Sequence, residues 1–313
     1  GRLKYFDKSE GWSEAIRNSL FPFSSHTFTS ASVRGRIGPT LAQCIAAYKV
    51  EWVNNEAFFT VRNGYQVWTV PETGTYRIVA VGACGASDNT LDGGGLGASA
   101  AGDFQLTAGD RITIVVGQTT GTISNAGGDR QAKPGGGGSF VFASNNFFNL
   151  ETCLIAAGGG GGIRTQAYSH VAHASLTTSG KNVATISGNN GKGGVGGLGG
   201  YGGTADGGQG GAGILGDGGV QIKSSNASWI LPRSISNGAT GGINQYGTSG
   251  GFGGGGGWWG GGGGGGGYSG GGGGNWNTSV DAGGGGSYVR SSVNRSIKLR
   301  TDRGNGYVTI TKL

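Results

Sequence analysis

Few residues in this chain can do chemistry, and their spacing argues against catalysis. The histidines are His26, His170 and His173. His170 and His173 stand three apart in Ser169-His170-Val171-Ala172-His173, a spacing that shares a metal only with further ligands. No glutamate lies between them, as it does in the helical zinc-protease motif, and the surrounding Ser/Thr/Ala stretch reads as a loop carrying surface histidines. Cys44, Cys84 and Cys153 lack zinc spacing; they allow at most one internal disulfide, or serve as buried thiols. Glycine-rich phosphate-loop patterns abound by chance, but none is followed by Lys-Ser/Thr. Asp206 and Asp217 sit in glycine-flanked turns, where aspartate is first a turn former, and no carboxylate pair stands in a cleft motif. The expectation is a protein that is not an enzyme, with no catalytic residue, metal or cofactor.

The remaining functional signals concern surfaces. Three Asn-x-Ser/Thr sequons occur, at Asn226, Asn277 and Asn294, and are the glycosylation candidates if the protein is secreted. Trp258, Trp259 and Trp276 punctuate glycine tracts; at the tips of loops they would be recognition residues, and turned inward they would pack the ends of the glycine segments.

These residues must be positioned by an unusual scaffold. Of 313 residues 76 are glycine, and the glycine follows a rule. From Gly191 the text reads GKGGVGGLGGYGGT, with Lys192, Val195, Leu198, Tyr201 and Thr204 one triplet apart. Uninterrupted runs follow at 253–257, 260–267 and 270–274. A period of three matches an extended helix with three residues per turn. Val195, Leu198 and Tyr201 would then share one edge able to pack on a core. The glycine edges, having no Cβ, would let neighbouring helices approach and exchange backbone hydrogen bonds, as buried backbone demands. Glycine-rich tracts are ordinarily flexible coil, but the kept phase and the large apolar punctuation argue for order. Collagen is excluded by only 5 prolines.

Around this lies ordinary globular text. No apolar stretch approaches the ~20 residues of a membrane span, so no membrane insertion is expected. The lack of a signal peptide and of any methionine suggests a processed or partial chain. The net charge of +7 is spread out, but 290–313 holds Arg290, Arg295, Lys298, Arg300, Arg303 and Lys312 against Asp302 alone, either facing an acidic glycan or polyanion or forming a solvated strand face. Nucleic-acid binding is not expected, because the long glycine tracts hold no RGG triplet.

Residues 1–34 read as a polar-aromatic leader. Within it Ser9 to Leu20 is expected to form an amphipathic helix with Trp12, Ile16 and Leu20 on one face, followed by extended chain from Pro22. Thr40 with Gln43 predicts a capping box opening a short helix. Strands are expected at 57–62 and 65–70 about the hairpin turn Asn63-Gly64, then at 75–84, 98–107, 111–117, 139–144, 153–158, 287–292 and 307–313. Short strands at this spacing mean an antiparallel sandwich. The division is a leader (1–34), a β-sandwich (35–157 and 287–313) and an inserted glycine-rich bundle of polyglycine II helices (158–286), mainly β with few short α-helices.

Several segments resemble the glycine-rich extracellular domain of the anaplastic lymphoma kinase and leukocyte tyrosine kinase receptors. They are Gly38-Pro39-Thr40-Leu41-Ala42-Gln43-Cys44 with Ala46-Ala47-Tyr48; Tyr65-Gln66-Val67-Trp68-Thr69-Val70-Pro71 running to Gly74-Thr75-Tyr76; Val116-Gly117-Gln118; Leu154-Ile155-Ala156-Ala157 leading into 158–162; and Gly250-Gly251-Phe252. The order is kept over about 27–313. The resemblance implies a sandwich similar to the tumour necrosis factor fold joined to glycine helices, in an extracellular domain that in those receptors binds a cytokine. Ala31 stands where the family has a cysteine, so the usual partner of Cys44 is missing, and cytokine binding is not carried over.

The expected function is a non-enzymatic extracellular or cell-surface structural protein, a protomer that self-assembles head to tail into a filament. Its leader would add to a neighbour's sheet edge or groove, with Trp12, Ile16, Leu20, Phe21, Phe23 and Phe28 as assembly residues; the plainer alternative folds the leader back on its own domain. The other function expected is a receptor- or adhesin-type domain recognising a protein or a glycan.

Overall fold

The computed structural model describes residues 3–7, 11–15, 19–87, 90–121, 133–163, 169–183, 191–202, 207–220, 229–243, 248–257, 260–275 and 281–313, with backbone alone for 3–7, 11–15 and 169. The chain is mainly β, with its strands in antiparallel sheets.

A sandwich is built from two of them. One runs β11(Tyr288–Val289), β10(Cys153–Ala157), β9(Ser139–Phe142), β8(Arg111–Val115), β5(Tyr65–Thr69), β4(Phe59–Arg62). The other runs β12(Ser296–Leu299), β7(Ala98–Leu106), β6(Gly74–Val81), β13(Tyr307–Lys312), β3(Ser25–Thr29). Alternation sends Phe59, Trp68, Ile112, Ile114, Val141 and Ile155 of the first sheet against Phe28, Tyr76, Ile78, Val308 and Ile310 of the second, all nearly or fully buried. The Asn63-Gly64 turn has φ of 50° and 83°, the paired positive values of a two-residue hairpin turn. The short helix α1(Leu41–Ala47) opens on the expected capping box: Gln43 N–H donates to Thr40 Oγ1 and Thr40 N–H to Gln43 Oε1. A 3-10 turn, Glu51–Asn54, follows α1. Tyr48 and Trp52 from this segment set ring edges on His26 of β3 at 4.7 and 5.0 Å.

The leader divides in two. Its first part is a hairpin of β1(Leu3–Asp7) and β2(Gly11–Ala15), in register Phe6↔Trp12, and pairs with no other described strand. The expected helix over Ser9–Leu20 is thus replaced at 11–15 by a strand: Tyr5, Phe6 and Trp12 are strand formers, and local pairing outweighs a four-residue spacing carried by three residues. The second part belongs to the sandwich. Ser25–Thr29 is the edge strand β3, paired with β13, and Phe21 and Phe28 lie in the core with Phe23 packed against it. The boundary at 34 therefore moves back to about residue 19.

The glycine segments form a bundle continuous with the strands. The segment 262–267 lies at its centre. Successive N–H groups of 263, 264 and 265 donate to the carbonyls of Lys133, Gln209 and Gly283; those of 266 and 267 return to the first two neighbours one turn on, at Gly136 and Ala212. Its carbonyls at 262, 263 and 264 accept from Gly274, Gly162 and Gly256, and those at 265 and 266 from Gly271 and Gly159. The central segment thus has three residues per turn and six neighbours. A Cβ on Gly264 would overlap the Gly271 carbonyl oxygen, and one on Gly265 that of Gly159. The rule behind the glycine is steric: the segments pack backbone to backbone.

Two expectations change here. The bundle is not confined to 158–286, since 82–86 continues β6, 133–138 leads into β9, and both are bonded into it. Nor does the G-G-X tract run on as one helix. Val195 O accepts Leu198 N–H at 3.1 Å, and Gly196 and Gly197 have φ of 59° and 85°, so the chain folds back in a tight turn. Tyr201 N–H then reaches Lys192 O across the resulting pair of arms.

Between sandwich and bundle lies a second apolar cluster. Val115, Phe140, Phe142 and Cys153, on the outer face of the six-stranded sheet, pack against Ile214, Ile235 and Phe252. Arg300, 4% exposed, ties this junction further: Nη1 donates to the carbonyls of Gly82, Gly304 and Asn305, while Nε and Nη2 grip Asp302.

Candidate functional site

Most of the residues with chemical potential make structural contacts. His173 Nδ1 accepts the Leu96 amide at 3.0 Å, and its pKa is lowered by burial and then by Lys181, Arg303 and His170. His170 is exposed on the short helix α2(Ser169–Ala172), whose carbonyl at 170 accepts Lys181 Nζ. Among the described residues no group of three or more His, Cys, Asp and Glu is placed to hold a metal. The three cysteines are free and buried; burial pushes the Cys44 thiol up to about 12 and that of Cys153 up strongly as well. Such thiols are packing groups, not nucleophiles. Asp217 accepts from Arg233 Nη1 and Ser234 N at 2.7 Å each and from Asn237 Nδ2, which makes it the anchor of a turn.

The basic stretch at 290–313 is also largely committed. Besides Arg300, Arg290 donates to Leu150 O, Arg303 to Asp92 O and Gly94 O, and Lys312 pairs with Glu72. Arg295 and Lys298 remain exposed. Of the two readings of this stretch, neither a fully solvated face nor an open polyanion site describes the buried Arg300 and its engaged neighbours.

The surface candidates fall as follows. Trp258, Trp259, Trp276, Asn226, Asn277, Ile16 and Asp206 lie outside the described residues, and of Trp12 only the backbone in β2 is described. Asn294 is exposed at φ 47°, with Nδ2 donating to Asp103 Oδ2 at 2.6 Å. A glycan there would have to share that nitrogen with Asp103. Leu20 is 49% exposed, whereas Phe21 and Phe28 are core, so the assembly residues do not form one exposed strip. A 460 Å³ cleft is lined by Phe21, Pro22, Trp52 and Phe58 with Lys49 and Glu51 at its rim.

The structure brings together a surface that spacing alone placed inside. Val195, Leu198 and Tyr201, expected to pack on a core, are 60%, 53% and 60% exposed. The tight turn carries Val195 and Leu198 to the edge of the bundle. Leu215, 42% exposed, joins them: its N–H donates to Gly197 O, and its side chain and that of Leu150 close around Gly197. Tyr201 lays its ring over Gly219. Large exposed apolar side chains gathered on one part of a surface mark interaction sites. The Gly196-Gly197 pair that makes this turn does not differ in sequence from the other glycine pairs of the tract.

Against known proteins, no family model matches the chain. A stretch is 34% identical over 112 residues to the leukocyte tyrosine kinase receptor of Mus musculus. The match covers 33% of this chain and 12% of the receptor, so the chain corresponds to a small part of that protein's length and the likeness is distant. Among the described residues no helix is long and apolar enough to cross a membrane.

Proposed function

We propose that the chain is a non-enzymatic extracellular recognition module, in which the sandwich and the glycine bundle form a rigid stand for the apolar face around residues 195–201. The observation that carries this reading is the exposure of Val195, Leu198, Tyr201 and Leu215 on a backbone tied by hydrogen bonds to Lys192, Gly211, Gly219 and Gly270. The partial likeness to a receptor supports it, as does the structural use of the histidines and cysteines. A rigid stand lowers the ordering cost of binding. The test is photo-crosslinking on intact cells with benzoylphenylalanine at Leu198, and at Val293 (58% exposed) as control. Adducts with one cell-surface protein at 198 and not at 293 are expected. Equal labelling at both positions overturns the reading.

A second reading, the protomer of a self-assembled filament, is favoured by one observation. The hairpin β1–β2 pairs with no other described strand, and an isolated two-stranded hairpin is marginal in water. Docking on a second copy would stabilise it. Negative-stain microscopy of the intact chain and of one lacking residues 1–18 tests this: filaments from the first alone support it, and single particles from both refute it.

A further inference from the structure

The outer face of the six-stranded sheet is only half covered by the bundle, and its open half forms a groove of two lobes that share Asn145. The first lobe, 280 Å³, lies where the β4–β5 hairpin, the loop 143–148 and the turn 235–238 meet, and contains Arg62. The second, 380 Å³, contains Arg111. We infer that this groove binds an acidic oligosaccharide, one anionic group seated at Arg62 and another at Arg111.

Four observations carry this. First, each lobe holds a guanidinium not neutralised by a carboxylate. Arg62 is exposed, and its guanidinium makes no hydrogen bond or ion pair with a described residue. Arg111 donates Nη1 to Ala57 O at 3.2 Å, but its Nε is buried without a partner. The carboxylate in the lining, Asp110, accepts the Thr107 amide in its own turn. Second, the two cations feel each other: burial first, then the charge of Arg62, lowers the pKa of Arg111. An anion between them relieves both effects. Third, the side-chain amides of Asn63, Asn145 and Asn146 line the same groove and make no hydrogen bond to another described residue. Amides paired with arginine match sugar hydroxyls beside a carboxylate or sulfate. Fourth, the wall is aromatic. Tyr65 and Phe148 stack at 5.0 Å and 10°, while the Tyr65 hydroxyl is already spent on Ile235 O. An apolar wall with a few convergent polar groups is the usual build of a small-ligand site. This site is separate from the apolar face at 195–201 and does not depend on that face's role.

The test is calorimetric titration of the full chain at physiological salt with four probes: a heparin hexasaccharide, a trigalacturonate, neutral maltohexaose and a hexaglutamate peptide. Saturable binding is expected for the hexasaccharide or the trigalacturonate, which separates sulfate from carboxylate as the anion, with none for maltohexaose. Arg62→Ala should weaken it at least tenfold, Asn145→Ala several-fold, and Lys298→Ala on the other sheet not at all. Because Arg62 is exposed, its variant folds normally, which circular dichroism checks. Equal loss in Arg62→Ala and Lys298→Ala, tighter binding of hexaglutamate, or no binding of either acidic saccharide overturns the inference.

Discussion

Replacing Gly264 by alanine should be among the most damaging single-methyl changes in the chain. The new Cβ meets the carbonyl oxygen of Gly271, a backbone atom with no rotamer to escape into. Gly271 N–H donates to Gly265 O and Gly274 N–H to Gly262 O, so the segment 270–274 is tied to the centre by these two bonds. Moving that segment by roughly 1 Å stretches both beyond hydrogen-bonding range. Two buried donors and two buried acceptors are then orphaned; at about 1 kcal/mol or more each, the loss is on the order of 4 kcal/mol. For a chain of this size that lowers Tm by roughly 8 °C. Gly109→Ala is the matched control: it sits at φ +91° with nothing within 4 Å of a new Cβ, so it costs about 1 kcal/mol for the left-handed backbone alone. Differential scanning calorimetry of the two variants decides the matter. A Gly264→Ala loss no larger than that of Gly109→Ala would refute backbone-to-backbone packing.

Other outcomes follow from the same contacts. Arg300→Ala leaves the Gly82 and Asn305 carbonyls without this donor, while Gly304 O keeps the Cys84 amide, and should cost about 2 kcal/mol, read from the urea midpoint. His26, whose pKa burial lowers to about 4, is neutral in the folded protein; its contribution is full above the unfolded value of 6.5 and is lost as pH falls toward 4. Stability should drop by on the order of 2 kcal/mol across that window, and His26→Phe should flatten it. Asp302, held below the usual carboxylate range by Arg300, adds stability above the unfolded aspartate value that disappears only as pH falls through its lower folded value; Asp302→Asn should remove that acid limb from a pH titration of the urea midpoint. Leu198→Asp, at an exposed position, should leave Tm within about 1 °C of the parent while abolishing crosslinks made from Val195.

The sandwich was legible because its signals are local. The Asn63-Gly64 turn, the Thr40–Gln43 box and the alternation in β6, β8 and β13 each rest on neighbouring residues. The strand β12 was missed: Ser-Ile-Lys-Leu is short and alternates weakly, and its pairing with β7 is fixed by partners nearly two hundred residues away. The three-residue period foretold the bundle's hydrogen-bonding rule but not where the chain reverses. Gly196 and Gly197 look like any other pair of glycines, and positive φ leaves no mark in the sequence. That is why the apolar edge was expected inside and lies outside. The groove with Arg62 and Arg111 had no sequence signal either, since its residues come from separate strands and loops.

Hydrogen exchange read by mass spectrometry on the segment 262–267 tests the central claim most directly, namely that the glycine tracts are a rigid scaffold. Amides with the partners described here should exchange as slowly as those of β6 and β13. Complete exchange within seconds, at the rate of free chain, would contradict the bundle and the surface it holds.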